Sequence, residues 1–297
     1  LKNKSEVIGM KKQQVDKRSS LALRTWSKLV KNRLAMLGMI VAIVMVLVSV
    51  FANLFAPYDP SKIDFKSATR APSWSHLMGT DKMGRDVFSE ILYGGRISIY
   101  VSVVGSVLGS LVGMILGCIA GWFGGKVDAF LVRLSEIFLT FPNMILVLIL
   151  VAFVGQGVNN LIFIFFITGW MTPFRMIRNE FLSLREETYV EACKAFGISN
   201  FSIMFKQILP NTISPIVVAT TINIANYILQ EAGLSFLGLG VPVTVPTWGN
   251  IMNAAKSVEV IRNYWWLWFF PGTVISIFVL AVNFAGDGLR DVLDPNL

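Results

Sequence analysis

Six apolar runs divide the chain, approximately 34–55, 97–123, 137–154, 161–177, 213–229 and 265–284. Each is long enough, or nearly so, to cross a hydrocarbon core of about 30 Å, which takes about 20 helical residues. None shows the two-residue alternation of a lipid-facing strand, and a spanning backbone must satisfy its own polar groups. The pattern therefore predicts an all-α polytopic membrane protein with six transmembrane helices. The third, fourth and fifth runs are short and are expected to extend into their flanks. One charged residue, Arg175, lies at the end of the fourth. Pro142, just inside the third run, and Pro173, in the fourth, are expected to kink their helices.

Between the fourth and fifth runs lies a polar, helix-forming insert, 186–210. The residues from Glu186 to Phe196 favour a helix, and Gly197 is placed to end it in a left-handed cap. Ser199 or Asn200 can cap a second short helix through Gln207, stopped before Pro210. The expected product is a rigid helix–turn–helix at the membrane face. Its small residues Ala192 and Cys193 would let a partner surface come close. An amphipathic connector on lipid headgroups is the competing reading, but the segment lacks a wide apolar face.

Composition agrees with the membrane reading. The 297 residues are 54% hydrophobic and 15% charged, with mean hydropathy +0.63, which excludes disorder and argues against an ordinary soluble domain. The net charge of +8 does not point to nucleic acid, because ten of the 26 Lys and Arg precede residue 34 and flank an apolar run. With the N-terminus inside, 18 of those 26 fall on the inner side, so N-in and C-in is favoured. The first outer loop, 56–96, is itself basic but carries five acidic residues. The aromatic cluster at 264–268 fits an interfacial belt. Cys118 and Cys193 imply no disulfide framework, and the first apolar run is too long for a signal-peptide core, so it reads as a retained span.

Several other features carry limited chemistry. Gly105, Gly109, Gly113, Gly117 and Gly121, four residues apart, place a smooth face on the second span for close helix packing; a flexible gating helix is the alternative. Gly124-Gly125-Lys126 fails as a nucleotide loop, since Ala120 and Val127 stand where a P-loop needs Gly and Ser or Thr. A short turn explains it better. His76 is the only histidine, so no His-based metal site is expected, and none is assigned. Glu231 resembles an intramembrane carboxylate, yet counting from Leu209 puts it about 33 Å up its helix, near the outer edge of the bilayer. A structural cap or gate contact is the expectation there. Proton- or sodium-driven transport lacks a midplane carboxylate.

The insert resembles the EAA loop of bacterial ABC-importer permeases. Glu191, Ala192, Gly197, Leu209 and Pro210 match in register, Tyr189 precedes them, Cys193 replaces the second Ala, and Gln207 stands at the Ile position. A second likeness narrows the family. The segment 76–86, containing Gly79, Thr80, Asp81, Gly84, Arg85 and Asp86, resembles the outer segment of OppC/DppC-type peptide permeases. So do 95–98, 234–240, 248–250 and 286–291, and together these cover roughly residues 30–297.

The resemblance implies a type I ABC-importer permease fold. It divides the chain into a basic N-terminal segment 1–33, a first span 34–55, an outer loop 56–96, a permease core 97–291 and a tail 292–297. It also implies a heterodimer with a second, B-type permease, two cytoplasmic ABC ATPases docked through the EAA loop, and an extracytoplasmic binding protein. The expected location is the bacterial inner membrane. The chain is expected to catalyse nothing and bind no cofactor, with ATP and Mg on the ATPases. Peptide import is the leading function. Import of a nickel chelate, another metallophore or glutathione is the near alternative, and an ion-driven secondary transporter the distant one. Asn223, Asn226, Gln230 and Glu231 are candidate pathway or gate residues.

Overall fold

The computed structural model describes residues 29–30 and 32–293, and its regular elements are helices. The N-terminal basic segment up to residue 28 and the end of the tail from 294 lie outside the described residues. The helices are α1 (Arg33–Val50), α2 (Val87–Phe123), α3 (Gly125–Leu139), α4 (Asn143–Val154), α5 (Val158–Thr168), α6 (Met171–Leu184), α7 (Thr188–Ala195), α8 (Ile213–Leu237), α9 (Trp248–Met252), α10 (Val258–Asn263) and α11 (Trp266–Leu293). Among the described residues five helical stretches are long and apolar enough to cross a membrane, and six if the bent pair α3–α4 forms one span.

That pair is the main departure from the expected spans. The third run is broken: α3 and α4 meet at 88° across Thr140–Pro142. Pro142 supplies no amide hydrogen and forces the residue before it out of helical geometry, so α3 ends and α4 begins anew. Pro173, by contrast, sits in the first turn of α6, where its missing N–H costs little. The fourth run holds two helices, α5 and α6, parted at Gly169–Trp170, but unlike α3–α4 they run on as one candidate span, Val158–Leu184.

The axis of the molecule is α2, whose 37 residues reach about 55 Å, well beyond the hydrocarbon. Its glycine row packs on α5 and α6. A Cβ on Gly113 would lie 2.3 Å from the Trp170 carbonyl oxygen, and one on Gly105 2.7 Å from the Phe165 Cβ. The row is thus an internal seam between helices of one subunit. Small residues also join α1 to α11: Gly38 lies against Ala281, and Gly288 against Ala35. The opposite face of α1 is exposed apolar surface, including Leu34, Leu37, Ile40 and Val44, as a lipid-facing helix requires.

Two buried clusters sit at opposite ends of the bundle. Val87, Ile91, Trp248, Trp266 and Phe278 form one beside the start of α2. Cys118, Ile177, Phe181, Val190, Ile203 and Ile208 form the other, beneath the polar insert. The motif loop and the insert therefore occupy opposite faces.

Candidate functional site

The insert is built from one helix, one tight cap and a long arm. α7 turns Val190 fully inward against the cluster of Phe181, Ile203 and Ile208. Its end is a Schellman motif: the Ile198 amide donates to the Cys193 carbonyl at 3.1 Å, and the Gly197 amide to that of Lys194 at 3.0 Å. Gly197 has φ +72°, and nothing lies within 4 Å of where its Cβ would be. Conformation, not space, demands glycine there. Ser199 then caps the next turn by accepting from the Ser202 amide at 3.4 Å.

The following segment differs from the expected separate helix. A turn at Asn200–Ser202 passes into a π-helical stretch, Ile203–Ile208, then a 3-10 turn, Leu209–Thr212, and then directly into α8. Pro210 does not stop the chain. The wider π turn before it relieves the clash its ring would make with the preceding turn. Side chains meet carbonyls that the irregular turns leave free, with Asn211 Nδ2 donating to Gln207 and Thr212 Oγ1 to Leu209, both at 2.9 Å. The arm is thereby continuous with a spanning helix.

Position on α7 decides which side chains are available. Glu191 and Ala192 are exposed, Tyr189 is partly so, and Cys193 turns toward the subunit's own core. Cys193 lies three residues from Val190 on the same helix face, so of the two small residues only Ala192 faces out. Leu209 is half-buried beneath the arm and Pro210 is exposed. Two residues that sequence reasoning missed dominate the tip: Phe196 is 86% exposed and Phe201 71%. The available signal was a pair of large aromatics bracketing a helix cap inside a polar segment.

On the opposite face the motif residues knit the loop before α2. Asp81 accepts from the Met83 and Arg85 amides, both at 2.8 Å, and from the Arg85 guanidinium at 2.7 and 2.9 Å. Arg85 also pairs with the buried Glu90 at 2.9 Å. Asp86 caps α2 through the Ser89 amide and hydroxyl, at 2.8 and 2.7 Å, and meets His76 Nδ1 at 3.0 Å. Thr80 is buried; its hydroxyl accepts from the Arg70 amide, and its carbonyl accepts from Trp266 Nε1 on α11. Gly79 and Gly84 take positive φ at the two bends. The Ser67 hydroxyl, bonded at 2.8 Å, holds the Asp64 carboxyl below its ordinary range. A cavity of about 560 Å³ opens between this loop and the segment around α9, lined by Asp81, Arg85, Glu90 and Asn250 among others.

The four candidate pathway residues separate. Glu231 is fully buried, its two oxygens accepting from the Ser98 hydroxyl at 2.7 Å and the Ser235 hydroxyl at 2.8 Å. Ser98 Oγ in turn accepts from the Trp248 amide at 3.1 Å, so this carboxylate joins α2, α8 and α9. Asn223 is buried and donates to the Gly169 carbonyl at 3.1 Å. Asn226 is exposed, on a stripe with Ile222 and Leu229. Gln230 is half-buried, and its buried Oε1 has no hydrogen-bond partner.

Comparison with known proteins places this architecture. Residues 113–297 match the family model of the binding-protein-dependent transport system inner membrane component, and residues 20–72 that of the N-terminal TM domain of oligopeptide transport permease C. The oligopeptide transport system permease protein OppC of Bacillus subtilis is 36% identical over all of this chain and 98% of its own. The chain belongs to the OppC/DppC-type family of ABC-importer permeases. A putative peptide permease protein of Brucella suis biovar 1 is 39% identical over 92% of this chain and 90% of its own. The glutathione transport system permease protein GsiD of an Escherichia coli strain is 36% identical, over 92% and 89%. The inward-facing MetNI methionine ABC transporter shares the fold at 19% identity and a TM-score of 0.56, covering 70% of this chain and 97% of that one. This member of the family is accordingly a multi-pass permease subunit with the type I importer fold.

Proposed function

We propose that this permease is the C-type half of an ATP-driven peptide importer and takes its motion from ATPase subunits through the insert. The observation that carries the reading is the arm at 200–212, which joins the exposed aromatic tip to α8 without a break. A displacement imposed at Phe196 and Phe201 passes along that arm to a helix packed against α2 and α11. Such a lever suits alternating access, in which helical bundles rock about a fixed pathway.

The insert then faces the cytoplasm, with N- and C-termini on that side, and the motif loop faces a binding protein. Tyr189, Glu191 and Ala192 contribute to the docking surface, while Gly197, Leu209 and Pro210 shape it. ATP and Mg reside on the ATPases. The partner across the membrane is a second, B-type permease, and the exposed stripe of Ile222, Asn226 and Leu229 is a surface for it or for the pathway between them. Peptide cargo is favoured by the oligopeptide and dipeptide relatives. The glutathione relative supports a second reading, in which the cargo is glutathione.

Co-purification tests the docking role. Glu191→Lys and Gly197→Asp should leave the permease inserted but detach the ATPases or uncouple their hydrolysis. Normal ATPase recovery together with normal substrate-stimulated hydrolysis in both variants would sink the proposal.

A further inference from the structure

A second pocket lies beside the insert. It is an open recess of about 290 Å³ lined by Trp122 and Phe123 at the end of α2, Arg185 in the link from α6 to α7, Lys194 on α7, and Asn200. Its lining carries two cations and no carboxylate. The Arg185 guanidinium is fixed by donating to the Gly121 carbonyl at 3.1 Å, which leaves most of its N–H groups free. Its one ion pair among the described residues is with Glu186, at 3.6 Å, longer than a hydrogen bond and on a carboxylate 76% exposed, so solvent screens it strongly. Lys194 Nζ stands 5.2 Å from the Trp122 ring centroid, and among the described residues no carboxylate lies within ion-pairing distance of it. The neighbouring Asp128 is occupied, both oxygens on Arg178.

The height of the pocket identifies what can reach it. The apolar run of α2 ends at Trp122-Phe123, tandem aromatics of the kind that sit at headgroup level, and Lys126 follows on the same side. A planar guanidinium and an ammonium converging there match phosphate oxygens. We infer that this pocket binds the phosphate of an anionic phospholipid headgroup, which ties the insert to the end of α2. Lys194 belongs to the insert, whereas Trp122 and Arg185, the latter held to the Gly121 carbonyl, belong to the bundle. A bound headgroup would bridge the moving and fixed parts, so the acidic lipid content of the membrane would set how tightly the insert is held.

Lipid retention tests this without transport or hydrolysis, so its outcome is independent of the proposed cargo and does not read ATPase coupling. The intact transporter would be reconstituted in nanodiscs of phosphatidylcholine mixed with phosphatidylglycerol, re-extracted, and its bound lipid measured by mass spectrometry. Wild-type protein should be enriched in phosphatidylglycerol. Lys194→Gln should lower that enrichment about fivefold and Arg185→Gln by a similar factor, while Lys194→Arg retains it. Equal enrichment in Lys194→Gln and wild type overturns the inference, and since Lys194 is exposed that variant should fold. An arm with excess inorganic phosphate separates the sources. Unchanged enrichment supports a lipid site, and its abolition overturns the lipid assignment in favour of a phosphate site that a headgroup enters only when free phosphate is absent.

Discussion

Gly84 has φ +76°, and a Cβ there would fall 1.8 Å from the Asp64 carbonyl oxygen. Gly84→Ala should therefore destabilise the motif loop by about 2 kcal/mol or more, seen as faster proteolysis between residues 56 and 86 at unchanged membrane insertion. Asp64, next to it, predicts a pH response. Because the Ser67 hydroxyl lowers its folded-state pKa, its contribution is present above the unfolded carboxylate value and fades as pH falls through the folded one. Acidification below about pH 4 should loosen the loop, and Asp64→Asn should already be loose at neutral pH. Glu231 is a third case at this scale. Glu231→Ala leaves the buried Ser98 and Ser235 hydroxyls without their acceptor, a loss of roughly 2–4 kcal/mol that a thermal unfolding shift in detergent would register. An unchanged midpoint would show that those hydroxyls find other partners. The burial of Glu231 was not legible locally. Counting residues along its helix gives a height, but its partner Ser98 lies 133 positions away in the chain.

Among the elements, α2 and the insert behave oppositely. The glycine row of α2 was legible as a packing face because spacing of four is a local property, but its partners α5 and α6 were not. Gly113→Val should push backbone against backbone at Trp170 and lower the folded yield, whereas the same change at an exposed position of α1 should not. The insert was legible in its helix and cap and misread in its arm. Pro210 in isolation signals a stop, and only the π-helical turn before it lets the helix continue. Phe196→Ala and Phe201→Ala test the tip. Both side chains are mostly exposed, so the fold should persist while ATPase affinity falls roughly 10- to 30-fold, measured by binding to the reconstituted permease pair. Unaltered affinity in the double variant would remove the aromatic tip from the docking surface.

For the whole molecule the same parts form two faces joined by one seam. The motif loop is locked to α11 by the Trp266–Thr80 hydrogen bond and to α2 by the Asp86 cap, which makes that face a fixed rim. The insert is anchored by Val190 but carries its continuous arm into α8, so under the proposed function the other face would be the driven one. Proteoliposomes containing this chain alone should take up no peptide under a proton or sodium gradient. Uptake should require the second permease, the ATPases and ATP. Gradient-driven uptake by the single chain would contradict a lever moved from outside.

Apolar run length, the absence of strand alternation and the two motif segments are properties of neighbouring residues, so the amino-acid sequence by itself determined an all-α membrane permease and its family. It also determined the left-handed conformation of Gly197, because a helix cap is local, but not that of Gly79 or Gly84 in the motif loop. The tertiary structure alone decided which way each side chain faces: Cys193 inward, Phe196 and Phe201 outward, Glu231 onto Ser98 and Ser235. It alone showed that the third run is two helices at 88°. The reason is physical. Whether a polar group can be buried, or a proline accommodated, depends on partners and turns supplied by the folded bundle, and those contacts join residues far apart in the chain.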